Sequence, residues 1–199
     1  KAGQAAVAQS QFGSSLDKVG LSAAQVGARI GLAITAMVAG TGAAIKSAIN
    51  TADEFAKMAQ KTGVAVEALR ELNYAASLSD VSTDALGTGL KKLSQNMALA
   101  ADGNKEQAAA FAAIGVNVKQ LDGTLKGADT VVSEIAGKFA GLKDSSEKTA
   151  IAVALFGKAG ADMIPLLNSG SAGLREMGDE ARALGQVFSA DLAKNAEAF

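Results

Sequence analysis

Between Thr62 and Phe199 the chain is broken at Thr62-Gly63, Asp102-Gly103, Asp122-Gly123, Gly157, Ser169-Gly170 and Gly185. Glycine enters the left-handed backbone region without a Cβ penalty, so each of these points is a natural helix stop. The pieces between them are too short to be stable helices alone in water. Each must bury an apolar face against a neighbour, so this part of the chain folds on itself or docks on a partner.

Each piece has its own apolar pattern. A helix from about Ala65 to Leu78 places Leu69, Leu72 and Ala76 on one side. Ser82 caps the next, with Asp84 in a first turn that favours negative charge. Along it Leu86, Leu90, Leu93 and Met97 form a seam spaced four, three and four. A short helix over about Lys105–Ile114 is closed by Gly115. Val116–Lys126 has strand character, and Asp122-Gly123 between its apolar residues predicts a β-hairpin that must lie on helices. Asp129 or Thr130 caps a helix bearing Val132, Ile135 and Phe139. Asp144 caps another, with Glu147 as the reciprocal half of a capping box. Ile151 and Leu155 share one face of that helix, and Gly157 ends it. The only proline, Pro165, pushes Ile164 away from helical geometry and predicts a kink or boundary there. After a turn at Ser169-Gly170-Ser171, a helix aligns Leu174, Met177, Ala181 and Leu184. Ser189 caps a last one with Leu192 and Phe199.

Residues 1–61 have a different character. Phe12, Leu16, Val19, Ala23, Val26, Ile30, Ala33 and Met37 alternate four and three apart, a heptad seam over more than three repeats. A second stripe, Ile30, Ile34, Val38, Ile45 and Ile49, leads toward Phe55. An unbroken helix here would be about 90 Å long. It needs a partner, another copy, or a fold-back at a glycine such as Gly20, with Ser22 capping the return. The chain therefore reads as all-α. A long Ala/Gly-rich helix or helical hairpin (residues 1–61) precedes a multi-helix region with one short β-hairpin (residues 62–199). A peptide of residues 1–61 is expected to oligomerise through Phe12, Leu16, Val19, Val26, Ile30 and Met37, because a lone stripe of that length leaves apolar surface in water. Sedimentation should show this, and Leu16→Asp should weaken it; a helical monomer at high micromolar concentration would contradict the seam.

Ile30–Ile45 is uncharged and flanked by Arg29 and Lys46. It falls just short of the about 17–25 apolar residues that span a bilayer. Small residues recur four apart at Gly27/Gly31 and Ala36/Gly40/Ala44, as in close helix contacts. Two readings stay open: a buried or self-associating helix, or a segment that enters a membrane through Ile30, Ile34, Val38 and Ile45. The second makes a membrane-active, pore-forming helical protein the alternative function.

Composition narrows the chemistry. Of 199 residues 44 are Ala and 22 Gly, with 7 Phe, 1 Tyr and no Trp, so each helix buries little apolar area per residue. The absence of Cys removes disulfides and thiolate metal sites. The absence of His removes the commonest general base and metal ligand. A net charge of −1 argues against nucleic-acid binding. Gly40–Ser47 resembles a phosphate loop but has Ile45 where glycine must precede the lysine. The carboxylate pairs Asp53/Glu54, Glu67/Glu71 and Asp179/Glu180 sit among Lys or Arg and read as solvated helix faces. Neither catalysis nor a cofactor is expected. Met37, Met58, Met97, Met163 and Met177 read as core fillers.

LFGKAGADMIPLLN (Leu155–Asn168) resembles a segment common in phage and prophage tail tape-measure proteins. Ala52–Ala101 is similar to the segment that usually precedes it, Phe111–Leu142 to the linking piece, and Glu180–Phe199 to the segment on its C-terminal side. The resemblance thus covers roughly Ala52–Phe199, with four segments in order. It implies a structural protein of the virion that lies in the tail-tube lumen, sets tail length during assembly and leaves through the tip at DNA ejection. Implied partners are further copies of itself, tail tube, tail tip or baseplate, and tail assembly chaperone proteins, with the host inner membrane at ejection. The start at Lys1, with no signal-peptide layout, reads as an internal fragment of a longer protein.

Overall fold

The computed structural model describes residues 53–185. Within them the chain forms eight α-helices and no strand. α1 occupies 53–62. α2 is Val66–Leu78, α3 Thr83–Ala101, α4 Lys105–Ala113, α5 Ala128–Phe139 and α6 Ser146–Phe156. A 3-10 turn, Gly157–Ala159, leads into α7, Gly160–Asn168, and α8 is Gly170–Ala183.

α3 is the hub. It packs against α2, α4, α5, α6, the 3-10 turn and α7, while α8 closes over α2 and α5. The α3 seam faces inward, with Leu86, Leu90 and Leu93 wholly buried and Met97 nearly so. Val131, Val132, Ile135 and Phe139 of α5, Leu155 and Phe156 of α6, and Met163, Leu166 and Leu167 of α7 fill the same core. Met58 and Met177 pack at its edge. Phe55 also joins it, so the folded unit reaches back through α1.

Small residues set the closest crossings. A Cβ on Gly89 of α3 would lie 2.2 Å from Met163 Sδ of α7. One on Gly160 would lie 2.1 Å from the carbonyl oxygen of Ala152 in α6, because the chain doubles back within a single 3-10 turn.

The expected breaks are real backbone events. Gly63, Gly103, Gly115, Gly123, Gly157, Gly170 and Gly185 all have positive φ. α3 and α4 end in the same way: Asn104 N–H donates to Leu99 C=O at 2.9 Å and Val116 N–H to Phe111 C=O at 3.0 Å, each across a left-handed glycine. At the end of α2 the same bond, Val81 N–H to Ala76 C=O at 2.8 Å, crosses Asp80 instead, at φ 57°.

Four expectations are corrected. No β-hairpin forms: Val116–Lys126 makes one isolated antiparallel bridge, Lys119 with Leu125. Gly123 N–H donates to Gln120 C=O at 3.1 Å, so the turn is centred on Leu121-Asp122, one residue earlier than Asp122-Gly123, and the arms are too short to add a second bridge. α5 begins at Ala128 after Gly127, without a side-chain cap, and Asp129 lies in its first turn. α6 is capped by Ser145, whose hydroxyl accepts from Lys148 N–H at 3.2 Å, while Asp144 pairs with the Lys148 ammonium at 3.0 Å. Pro165 lies inside α7 rather than at a boundary. The break comes earlier, at Gly157, and both Pro165 and Ala161, whose carbonyl loses its partner, are exposed to water.

Candidate functional site

The residues expected to drive self-association (Phe12, Leu16, Val19, Val26, Ile30, Met37) or membrane entry (Ile30, Ile34, Val38, Ile45) lie outside the described residues. The second seam, Leu86, Leu90, Leu93 and Met97, is spent on the internal core and presents no surface.

Two buried polar devices hold that core. Asn96 of α3, 1% exposed, donates its amide to the carbonyls of Ala154 and Leu155 at 2.9 and 3.0 Å. Those are last-turn carbonyls of α6, orphaned because Gly157 ends the helix. Lys148 is 4% exposed, with its ammonium donating to Leu142 C=O and to Asp144, both at 3.0 Å, and lying 5.9 Å from the centre of the Phe139 ring. A lysine is rarely this buried without partners. Neither role is legible from sequence, because each depends on which backbone happens to lie opposite.

The α2–α8 contact is polar. The Arg182 guanidinium bridges Glu71 of α2 and Asp179 of its own helix. Burial, together with the charge and hydrogen bond of Glu180, pushes the Tyr74 hydroxyl up to about 12. Arg70 stacks 5.5 Å from the Phe55 ring centre. Asp53 pairs with Lys57 at 2.6 Å in the open. These carboxylates neutralise cations on helix faces. Among the described residues no His, Cys, Asp or Glu side chains gather in a group of three that could hold a metal ion.

One described stretch, Ser146–Asn168, is long and apolar enough to cross a membrane, with mean hydropathy 1.6. It is α6, the 3-10 turn and α7, folded back on itself at Gly157, with Leu155, Phe156, Met163, Leu166 and Leu167 in the core. A core hairpin explains its composition.

Surface features remain as the candidates for function. Leu121 stands fully exposed at the tip of the bridged loop. A shallow groove between the α2–α3 turn and the start of α7 is lined by Asp80, Val81, Ser82, Ala85, Ala161, Asp162 and Pro165. A second, between Gly115-Val116, α5 and α8, is lined by polar residues including Ser133, Lys138, Ser171 and Arg175. Both grooves are open surfaces of a kind that suits contacts between proteins.

Residues 1–157 match the family model of the phage-related minor tail protein. No curated protein and no solved structure matches the chain. The family match ends at the Gly157 break, yet α7 completes the core, so the folded unit runs past the matched residues.

Proposed function

The chain belongs to the phage-related minor tail protein family, and from that premise we propose that it is an internal part of a tail tape measure. Membership makes it a structural protein of the virion tail, associated with other tail components. The finer reading places it in the tail-tube lumen. There it takes part in setting tail length, contacts tube, tip or baseplate and assembly chaperone proteins, packs beside copies of itself, and leaves with the DNA. In that reading Ile30–Ile45 is the part suited to meet the host inner membrane.

The observation that carries the proposal is the family match over residues 1–157 together with four tape-measure-like segments in order from Ala52 to Phe199. The fold refines it. A linear ruler needs a fixed rise per residue, about 1.5 Å in continuous helix. Residues 53–185 are instead short helices around a shared core. They suit a folded docking or packing unit, and measurement falls to other parts of the protein.

A nonsense mutation within the coding sequence, in the phage that carries it, is expected to abolish normal tails and leave either no tube or tubes of uncontrolled length. Electron microscopy of lysates checks this. Tails of parental length and number would rule out a tape-measure role while leaving family membership intact.

A further inference from the structure

α8 is weakly committed to the core. Of its 14 residues only Gly170, Leu174, Gly178 and Ala181 are buried, and two of those are glycines. Leu174 is its one residue in the shared core, with Met177 at the edge. α5, with 12 residues, buries Ala128, Val131, Val132, Ile135, Ala136 and Phe139. α8 leans on α2 and α5, meets α7 only slightly, and makes no more than slight contact with the hub α3.

Its contacts are close but small. A Cβ on Gly178 would lie 3.0 Å from Glu71 Oε2 of α2, one on Gly170 3.2 Å from Ala140 Cβ at the end of α5, and one on Gly137 of α5 3.3 Å from Ser171 Oγ. Backbones that approach through glycine, alanine and serine remove little apolar area from water. The rest of the seat is polar. Arg182, 49% exposed, pairs with Glu71, and pairs open to water stabilise little. Glu180 meets the Tyr74 hydroxyl. At its N-terminal end α8 has no side-chain cap, and Gly170, at φ 70°, is the joint to α7.

We propose that α8 is a strap that undocks about Gly170 while α1–α7 stay folded around α3. The opened form keeps the α3 seam and the α5, α6 and α7 residues packed on it. It bares the faces of α2 and α5 under the strap and frees the chain after Asn168 from the core. A 14-residue helix with nothing to pack on is marginal in water, so α8 frays once it leaves its seat. This opening is a local one that lies below global unfolding in free energy. It does not depend on the tape-measure reading.

Tyr74 is the only tyrosine and there is no tryptophan, so the intrinsic fluorescence of the full chain reports the seat of the strap. In urea its change is expected at a lower midpoint than the loss of helix followed by circular dichroism. Native-state hydrogen exchange should show α8 amides exchanging at least tenfold faster than those of α3, with a shallower dependence on urea. Ser145→Ala weakens the cap of α6, which open and closed forms share. It should speed exchange in α3 several-fold and leave α8 unchanged. Ala181→Asp puts a charge at a wholly buried site on the strap, and should strip α8 of protection while the remaining helices still melt cooperatively. Coincident fluorescence and dichroism midpoints overturn the strap. So does α8 exchange that matches α3 in rate and urea slope and rises with it in Ser145→Ala, or loss of cooperative melting in Ala181→Asp.

Discussion

Replacing Gly160 with alanine is expected to lower the unfolding midpoint by about 10–15 °C. The added Cβ would sit 2.1 Å from Ala152 O, 2.4 Å from its carbonyl carbon and 2.7 Å from Val153 N. These are backbone atoms of α6 and cannot rotate away, unlike the Met58 terminus that meets a Cβ on Gly87 at 3.0 Å. Relief requires α6 and α7 to part, which opens the packing of Leu155, Phe156, Met163 and Leu167. Overpacking of this kind costs about 1–3 kcal/mol where side chains can yield, and about 4 kcal/mol where fixed backbone must shift. The higher helix propensity of alanine returns only about 1 kcal/mol. A net loss near 3 kcal/mol at about 3–5 °C per kcal/mol gives the stated shift. Thermal denaturation followed by circular dichroism measures it, with Gly87→Ala as the mild comparison. A Gly160→Ala midpoint within about 3 °C of the parent would show that the crossing can widen without loss of packing.

In the phage that carries the gene, in-frame deletion of Thr83–Gly103 is expected to eliminate infectious particles. It removes α3, and with it Leu86, Leu90, Leu93 and Met97 from the centre of the core. Asn96 goes too, leaving the Ala154 and Leu155 carbonyls without their donor. So does Ser94, whose hydroxyl donates to Thr62 C=O at 2.6 Å and ties α1 to the hub. α2, α4, α5, α6, the 3-10 turn and α7 all pack against α3, so its loss strips the shared inner wall from most of the unit. Plaque titre and electron microscopy decide between this and the linear alternative. If the segment were ruler, its loss would yield viable particles with tails shorter by about 30 Å, its rise as continuous helix. Such particles would falsify the view of residues 53–185 as a folded unit that does not measure.

Much of this architecture was written locally. Among the described residues every glycine read as a stop has positive φ, because the left-handed geometry that ends a helix excludes most other residues. The Ser82 cap is as expected, its hydroxyl accepting from Ala85 N–H at 3.1 Å, since a cap needs only residues within one turn. The α3 seam was visible as a period of four and three. That period marks an apolar face without saying what covers it, and only the fold shows that α2, α5, α6 and α7 do. Local chemistry misplaced the start of α6 by one residue, because Ser145 and Asp144 are both good caps. The choice rests with Lys148, whose buried ammonium draws Asp144 aside. It misjudged Pro165, because the sharp turn is imposed at Gly157 by the approach of Gly160 to Ala152, a contact between helices. The hairpin failed because a turn signal cannot create strands when the flanking arms are drawn into helix packing through Val116 and Val118. Leu121 and the groove at the α2–α3 turn show the same division. Leu121 is an ordinary leucine in sequence, and its exposure, like the assembly of the groove from segments some eighty residues apart, comes from tertiary structure alone. Sequence by itself determined where helices stop and which faces are apolar, because those depend on neighbours along the chain. Which faces meet, and which surface is left for partners, depend on residues distant in sequence, and only the packed fold brings them together.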